Sequence, residues 1–196
     1  MRVKMLTFGF VLLALGACAH GPIESRDNHV SIAPNVTMVL PRPSELARSF
    51  ESTQLVTAHY GDQVYAFEGH VSVTPDRFYM VGLDSFGRRA MTITWTDSAI
   101  TYERAPWLPS QLRPQNILAD MVLMYWPEDM VRQALSSSPC TLSTGPNWRS
   151  VMQDGHEIIH IEYGPASDGS TWSGQATYRH LIWNYQLNVQ STASEQ

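Results

Sequence analysis

Arg89-Ala90-Met91-Thr92-Ile93-Thr94-Trp95 sets Arg89, Met91, Ile93 and Trp95 at every second position. Side chains of an extended chain alternate between two faces, so this stretch reads as a β-strand with one largely apolar face. Its flanks repeat the pattern. Upstream, Pro75-Asp76 turns the chain into an extended Phe78–Leu83, and Asp84-Ser85-Phe86-Gly87 turns it out again. Earlier still, Tyr65, Phe67, Val71 and Val73 share a face, with Gly69 expected to mark a bend or bulge. Gly61-Asp62 separates that run from a strand over Gln54–Tyr60, and downstream Asp97-Ser98 leads to a strand through Ile100 and Tyr102. Strands joined in sequence by short turns pair as an antiparallel meander.

The period then changes. Ala105–Arg113 is a loop punctuated by prolines. From Pro114, the residues Ile117, Leu118, Met121, Val122 and Tyr125 follow helical spacing. Pro127 ends that helix and starts a second, with Met130, Val131, Ala134 and Leu135 on its apolar face. A polar, Ser-rich loop precedes strands over Trp148–Gln153, His156–Tyr163, Trp172–Leu181 and Tyr185–Gln190, with Asp154-Gly155 as a hairpin turn. Near the start, Pro43–Phe50 reads as a short opening helix. The expected fold is mainly β (α+β): a curved antiparallel sheet or half-open β-barrel with one N-terminal helix and two mid-chain helices. An apolar helical stripe has to be buried, and the face of Met91, Ile93 and Trp95 is available. The helices are therefore expected to plug the concave face.

The N-terminus is of another kind. Arg2 and Lys4 precede an apolar block from Leu6 to Leu15, shorter than the roughly 20 residues that span a bilayer. That is the composition of a secretory signal peptide. Leu15-Gly16-Ala17-Cys18 resembles the lipobox of bacterial lipoproteins. The resemblance implies a diacylglycerol on the Cys18 sulfur and a cut before it. Ala19 at the next position implies transfer to the outer membrane, with the domain facing the periplasm. The expected boundaries are a signal peptide over 1–17, a flexible tether over 18–38, a folded domain over 39–191 and a disordered tail over 192–196.

Charge narrows the partners. Without Arg2 and Lys4 the chain keeps 13 − 2 = 11 basic residues against 18 acidic ones, a balance of 11 − 18 = −7. No basic run exists to meet phosphates, which argues against nucleic acid and against anionic headgroups as a docking surface. With Cys18 lipidated, Cys140 has no partner for an internal disulfide and is expected to be a small tucked-away residue.

Phe67-Glu68-Gly69, Asp84 to Arg88, Ala105-Pro106-Trp107-Leu108-Pro109, Ile117-Leu118-Ala119-Asp120 and Tyr125-Trp126-Pro127 resemble an uncharacterised lipoprotein family found with aryl-polyene biosynthesis genes. The order of elements also resembles the lipoprotein carriers and receptors LolA and LolB. The likeness covers roughly Leu40 to Gln190. It implies a half-open barrel whose apolar hollow holds acyl chains, and it carries over no catalytic residue. Met80, Met91, Ile93, Trp95, Ile117, Met121, Met124 and Trp126 are the candidate lining residues. Unbranched, polarizable Met suits a wall that repacks around variable cargo, though Met also fills ordinary cores.

His156-Glu157-Ile158-Ile159-His160 matches the zinc-protease signature literally. That chemistry needs a helix, where residues four apart share a face and both imidazoles reach one ion. Between Gly155 and Gly164 the stretch reads as a strand, with the two histidines about 13 Å apart at ~3.3 Å per residue and Glu157 on the opposite face. No metal, cofactor or catalytic residue is expected. Two functional readings follow: a membrane-anchored module binding an acyl-chain or lipid-like ligand alongside envelope transport proteins, or a non-enzymatic assembly protein recruiting a partner. A zinc hydrolase is the remote third.

Overall fold

The computed structural model describes residues 22–110, 112–165 and 172–195; the lipobox and Cys18 lie outside them. The strands are β1 (Ile23–Ser25), β2 (His29–Ala33), β3 (Val36–Val39), β4 (Phe50–Tyr60), β5 (Gln63–Thr74), β6 (Arg77–Asp84), β7 (Arg89–Trp95) and β8 (Ile100–Arg104). Helices α1 (Pro114–Tyr125) and α2 (Glu128–Leu135) interrupt them, and β9 (Cys140–Gly145), β10 (Trp148–Gln153), β11 (His156–Tyr163), β12 (Gly174–His180) and β13 (Tyr185–Glu195) complete the chain. Eleven strands form one antiparallel sheet in the order β1-β8-β7-β6-β5-β4-β13-β12-β11-β10-β9. Among the described residues the sheet does not close, and β2 pairs only with β3.

The meander and both helices stand where the periodicity puts them. Asp154 and Gly155 both take positive φ, as a tight two-residue hairpin demands. Gly69 does not mark a bulge, because its register runs unbroken to Gln54 on one side and Gly82 on the other. The expected loop before Trp148 contains β9, whose Thr and Ser residues hide a strand.

The expected N-terminal helix is not formed. Pro43–Leu46 makes one 3₁₀ turn, which Ala47 ends in the left-handed region at φ 51°. Phe50, read as part of that helix, opens β4 and lies 4.2 Å from the Trp172 ring. Burying Phe50 in the sheet core outweighs a few more residues of marginal helix. The tether is also corrected. Among its described residues, 23–25 extend the sheet through β8, and the β2–β3 hairpin buries Val30, Ile32, Ala33, Val36 and Met38. The expected tail is strand instead, since Thr192 to Glu195 pair with β4.

The hairpin explains the plug helix. From Leu118 to Tyr125 every residue of α1 is buried, which a helix resting one stripe on a sheet would not show. Trp126, at its end, touches Phe78 of β6 and Trp95 of β7, while Arg149 of β10 donates to the Leu123 and Trp126 carbonyls. Tyr163 of β11 donates to the Met124 carbonyl at 2.6 Å. A sheet reaches one helix from β6 round to β11 only by curling about it. β2 covers the remaining side, with Asn116 donating to the Ser31 carbonyl.

Candidate functional site

The inner face of β4 changes character along its length. Phe50 is buried in an aromatic cluster; Ser52 and Gln54 are buried polar residues; Val56 and Ala58 are half-buried; Tyr60 is exposed. β13 runs alongside in the same register, with Ser191 opposite Gln54, Val189 opposite Val56 and Leu187 opposite Ala58. The concave face is thus sealed at one end and uncovered at the other.

At the sealed end aromatic rings pack upon each other. Trp126 lies 5.8 Å from Trp95, 6.0 Å from Phe78 and 5.5 Å from Trp172, and Tyr125 stacks on Trp172 at 4.5 Å. The expected lining residues Met80, Met91, Ile93, Trp95, Met121, Met124 and Trp126 are all buried in this continuous core, and Ile117 is half-buried at its margin. The structure brings them together as packed neighbours of one another and of the β2–β3 hairpin.

Towards the other end the burial of the inner face is incomplete, although Asp120 of α1 still reaches Tyr185 there. Val56 of β4, Phe67 of β5 and Leu187 of β13 are only partly buried against the core. Tyr65, two residues before Phe67 on the same face, stacks beside it at 6.4 Å. This half-exposed apolar wall is the best candidate for a ligand surface. The period-two pattern of Tyr65 and Phe67 was visible in the sequence. How far the rest of the chain buries them was not.

One ionisable group stands at the boundary. Asp120, on α1, is almost wholly buried and accepts from the Tyr185 hydroxyl at 2.9 and 2.8 Å. Burial dominates and pushes its carboxyl from 3.8 to about 7, against the lowering pull of the Tyr178 and Tyr185 hydroxyls. The Tyr178 hydroxyl acts on it without reaching hydrogen-bond geometry. Tyr185 stacks at 5.0 Å on His180, which is itself buried and bonded to the Ile32 carbonyl at 2.7 Å. Asp120 therefore ties α1 to the base of β13 and, through His180, to the covering hairpin.

The His156 to His160 stretch is strand β11, as expected, but one detail differs. Register slips opposite Val151 and Met152, so Ile158 and Ile159 are both buried and every residue before them changes face. Glu157 is thereby placed beside His160, not opposite it. His160 Nδ1 lies 2.6 Å from the Glu157 carboxylate and 3.0 Å from Ser150 Oγ, and Ser150 also donates to Glu157. Burial raises the Glu157 carboxyl, but hydrogen bonds from Ser150 and His160 outweigh it and hold the group below its ordinary value. An ionised Glu157 only accepts, so Nδ1 carries the hydrogen and has no lone pair to take a proton from Ser150. The Ser150–His160 contact is thus not a nucleophile–base pair. His156 is exposed at the strand start, and no group of three metal-binding side chains occurs among the described residues.

A family model described as "Protein of unknown function (DUF3261)" matches residues 51–193. No curated protein matches the sequence. Among solved structures, the chain is similar to a LolA superfamily protein from Nitrosomonas europaea (8% identity, TM-score 0.44, 80% of this chain and 91% of that one). It is similar also to a DUF1329 family protein from Desulfovibrio piger (8% identity, TM-score 0.40, 79% and 92%). Likeness at that level fixes neither cargo nor chemistry.

Proposed function

We propose, for a chain that belongs to the DUF3261 family, that it binds an acyl-chain or lipid-like ligand on its concave face, anchored to the outer membrane through Cys18. The observation that carries the reading is the apolar wall of Val56, Tyr65, Phe67 and Leu187, which is only partly buried at the open end of the concave face. Such a wall costs solvation free energy in the free protein, which a bound chain recovers at about 25 cal/mol per Å² of apolar surface covered. The ligand lies against that wall, and α1 itself stays in place. Exchange of the whole plug for cargo, which a lone apolar stripe would allow, is disfavoured because the β2–β3 hairpin holds the far side of that helix.

Native mass spectrometry of the purified protein tests the reading: a co-purifying lipid mass, displaced by added fatty acid, is expected. A protein that carries nothing and takes up nothing would sink it and leave the partner-recruiting role. The anchor is tested separately. Cys18→Ala should abolish flotation with membrane vesicles, because acyl chains contribute about 0.8 kcal/mol per buried CH₂.

A further inference from the structure

The register places β1, the chain reversals of the sheet and the start of the folded chain relative to one another. Tyr60 pairs with Tyr185, Tyr185 with His180, and Phe67 with Asp84. Turns β4–β5, β6–β7 and β12–β13, and the loop leaving β8, therefore lie at the same end of the strands. The exposed large apolar side chains gather there: Tyr60 and Val64 flank the first turn, Phe86 is in the second, Leu181 and Ile182 are in the third, and Trp107 is in the loop. Phe86 is 84% exposed and Val64 61%. Arg88 spans Phe86 and Trp107, at 5.5 and 5.1 Å from their rings, so the two are one patch. Among the described residues only Leu55 is a large apolar side chain exposed away from this end. The opposite turns read Pro75-Asp76, Asp97-Ser98 and Pro146-Asn147.

The chain enters at the apolar end. Ile23 pairs with Tyr102 and Ser25 with Ile100, so β1 runs away from the end where β8 finishes, and its first residue, Ile23, lies nearest that end. Ile23 is itself exposed. Three residues separate Cys18 from Pro22, so four Cα steps give a reach of at most about 14 Å. A leash that short cannot take the domain round to present its other end.

We infer that the apolar rim of the β4–β5, β6–β7 and β12–β13 turns and Trp107 is a membrane-docking surface, which seats the open end of the concave face on the bilayer beside the lipidated Cys18. The inference rests on the lipidation reading. The occupant is a lipid surface entered by apolar side chains, not one held by charge: the mature chain is acidic overall, and Arg88 at the rim is paired with Asp84 at 2.6 Å. The uncovered wall of Val56, Phe67 and Leu187 then opens towards the acyl layer, and a hydrophobic ligand crosses little water to reach it.

The test uses the full lipoprotein reconstituted in phosphatidylcholine vesicles on a Cys140→Ser background. An environment-sensitive fluorophore is placed at Phe86→Cys or Ile182→Cys on the rim, and at Asp76→Cys or Asn147→Cys on the far end. Rim labels are expected to be quenched by spin-labelled lipid and at least threefold less by aqueous iodide than far-end labels, unchanged at high salt. Equal iodide access at the two ends overturns the inference, as does rim protection that appears only with anionic lipid and vanishes in salt. Failure of the protein to stay with vesicles removes the anchor and the inference with it. A second variant separates docking from cargo: Phe86→Asp should expose the label at Ile182→Cys to iodide while a fluorescent fatty acid still binds. Rim protection in a protein that binds no fatty acid would support docking and defeat the cargo reading alone.

Discussion

The two ends of the concave face are built from one set of strands and solve opposite problems. On β4, Phe50 packs at a tilt against Trp172 at one end, while ten residues on Tyr60 stands in solvent. On the sealed side the rings of Phe78, Trp95, Trp126 and Trp172 interlock, and the helix end at Tyr125 and Trp126 fits among them. On the open side the same strands carry Val56, Phe67 and Leu187, which the core buries only in part. Between lies a polar belt of Ser52, Gln54 and Ser191, with the Tyr125 hydroxyl 3.4 Å from Ser191. Stability is thus concentrated at one end, and the other carries apolar surface that packing does not use.

That division makes graded expectations. Trp126→Ala removes the ring at the centre of the sealed end and should cost about 3–5 kcal/mol in denaturant unfolding. A loss under 1 kcal/mol would mean that the aromatic cluster is not what closes that end. Met121→Asp, on the buried helix, should cost a similar ~3–5 kcal/mol by leaving an unpaired charge inside. Met121→Leu should stay below about 1.5 kcal/mol.

Asp120 yields a pH test. Its folded-state value lies above its ordinary 3.8, at about 7, so ionisation favours the unfolded chain. Well below pH 3.8 the carboxyl is neutral in both states; as pH rises from there towards 7 only the unfolded chain ionises, and stability falls before levelling. Relative to Asp120→Asn, the native protein should lose on the order of 2–4 kcal/mol across that window. Parallel pH profiles for the two proteins would show that Asp120 is ionised in place. Smallest of all, Phe86→Ala at the rim should change stability by less than about 0.5 kcal/mol, since its side chain packs on little but Arg88. A large loss there would erase the distinction between the two ends.

What was legible in the chain follows the strength of its periods. Met91 to Trp95 alternates as β7, but the register slips opposite Gly82 and Leu83, so Ala90 and Met91 are buried in succession and exposed Arg89 leaves the apolar face expected for it; Pro114 and Pro127 bracket two helical patterns and start both helices close by. The β2–β3 hairpin was overlooked because its strands are four and five residues long, although Val30 and Ile32 alternate. Three isoleucines from Ile158 to Ile161 conceal the bulge of β11, since an apolar run has no visible period to slip. The open wall depends on where one helix ends relative to strands far away in sequence. No local pattern encodes that distance.

The central claim is that the uncovered wall, not the sealed core, holds a ligand. Titration of a fluorescent long-chain fatty acid into the protein and into Phe67→Asp and Phe86→Asp compares the wall with the rim directly. Saturable binding in the native protein, lost in Phe67→Asp and kept in Phe86→Asp, is the expected result. Binding that survives Phe67→Asp unchanged, or that is absent from the native protein, would contradict it.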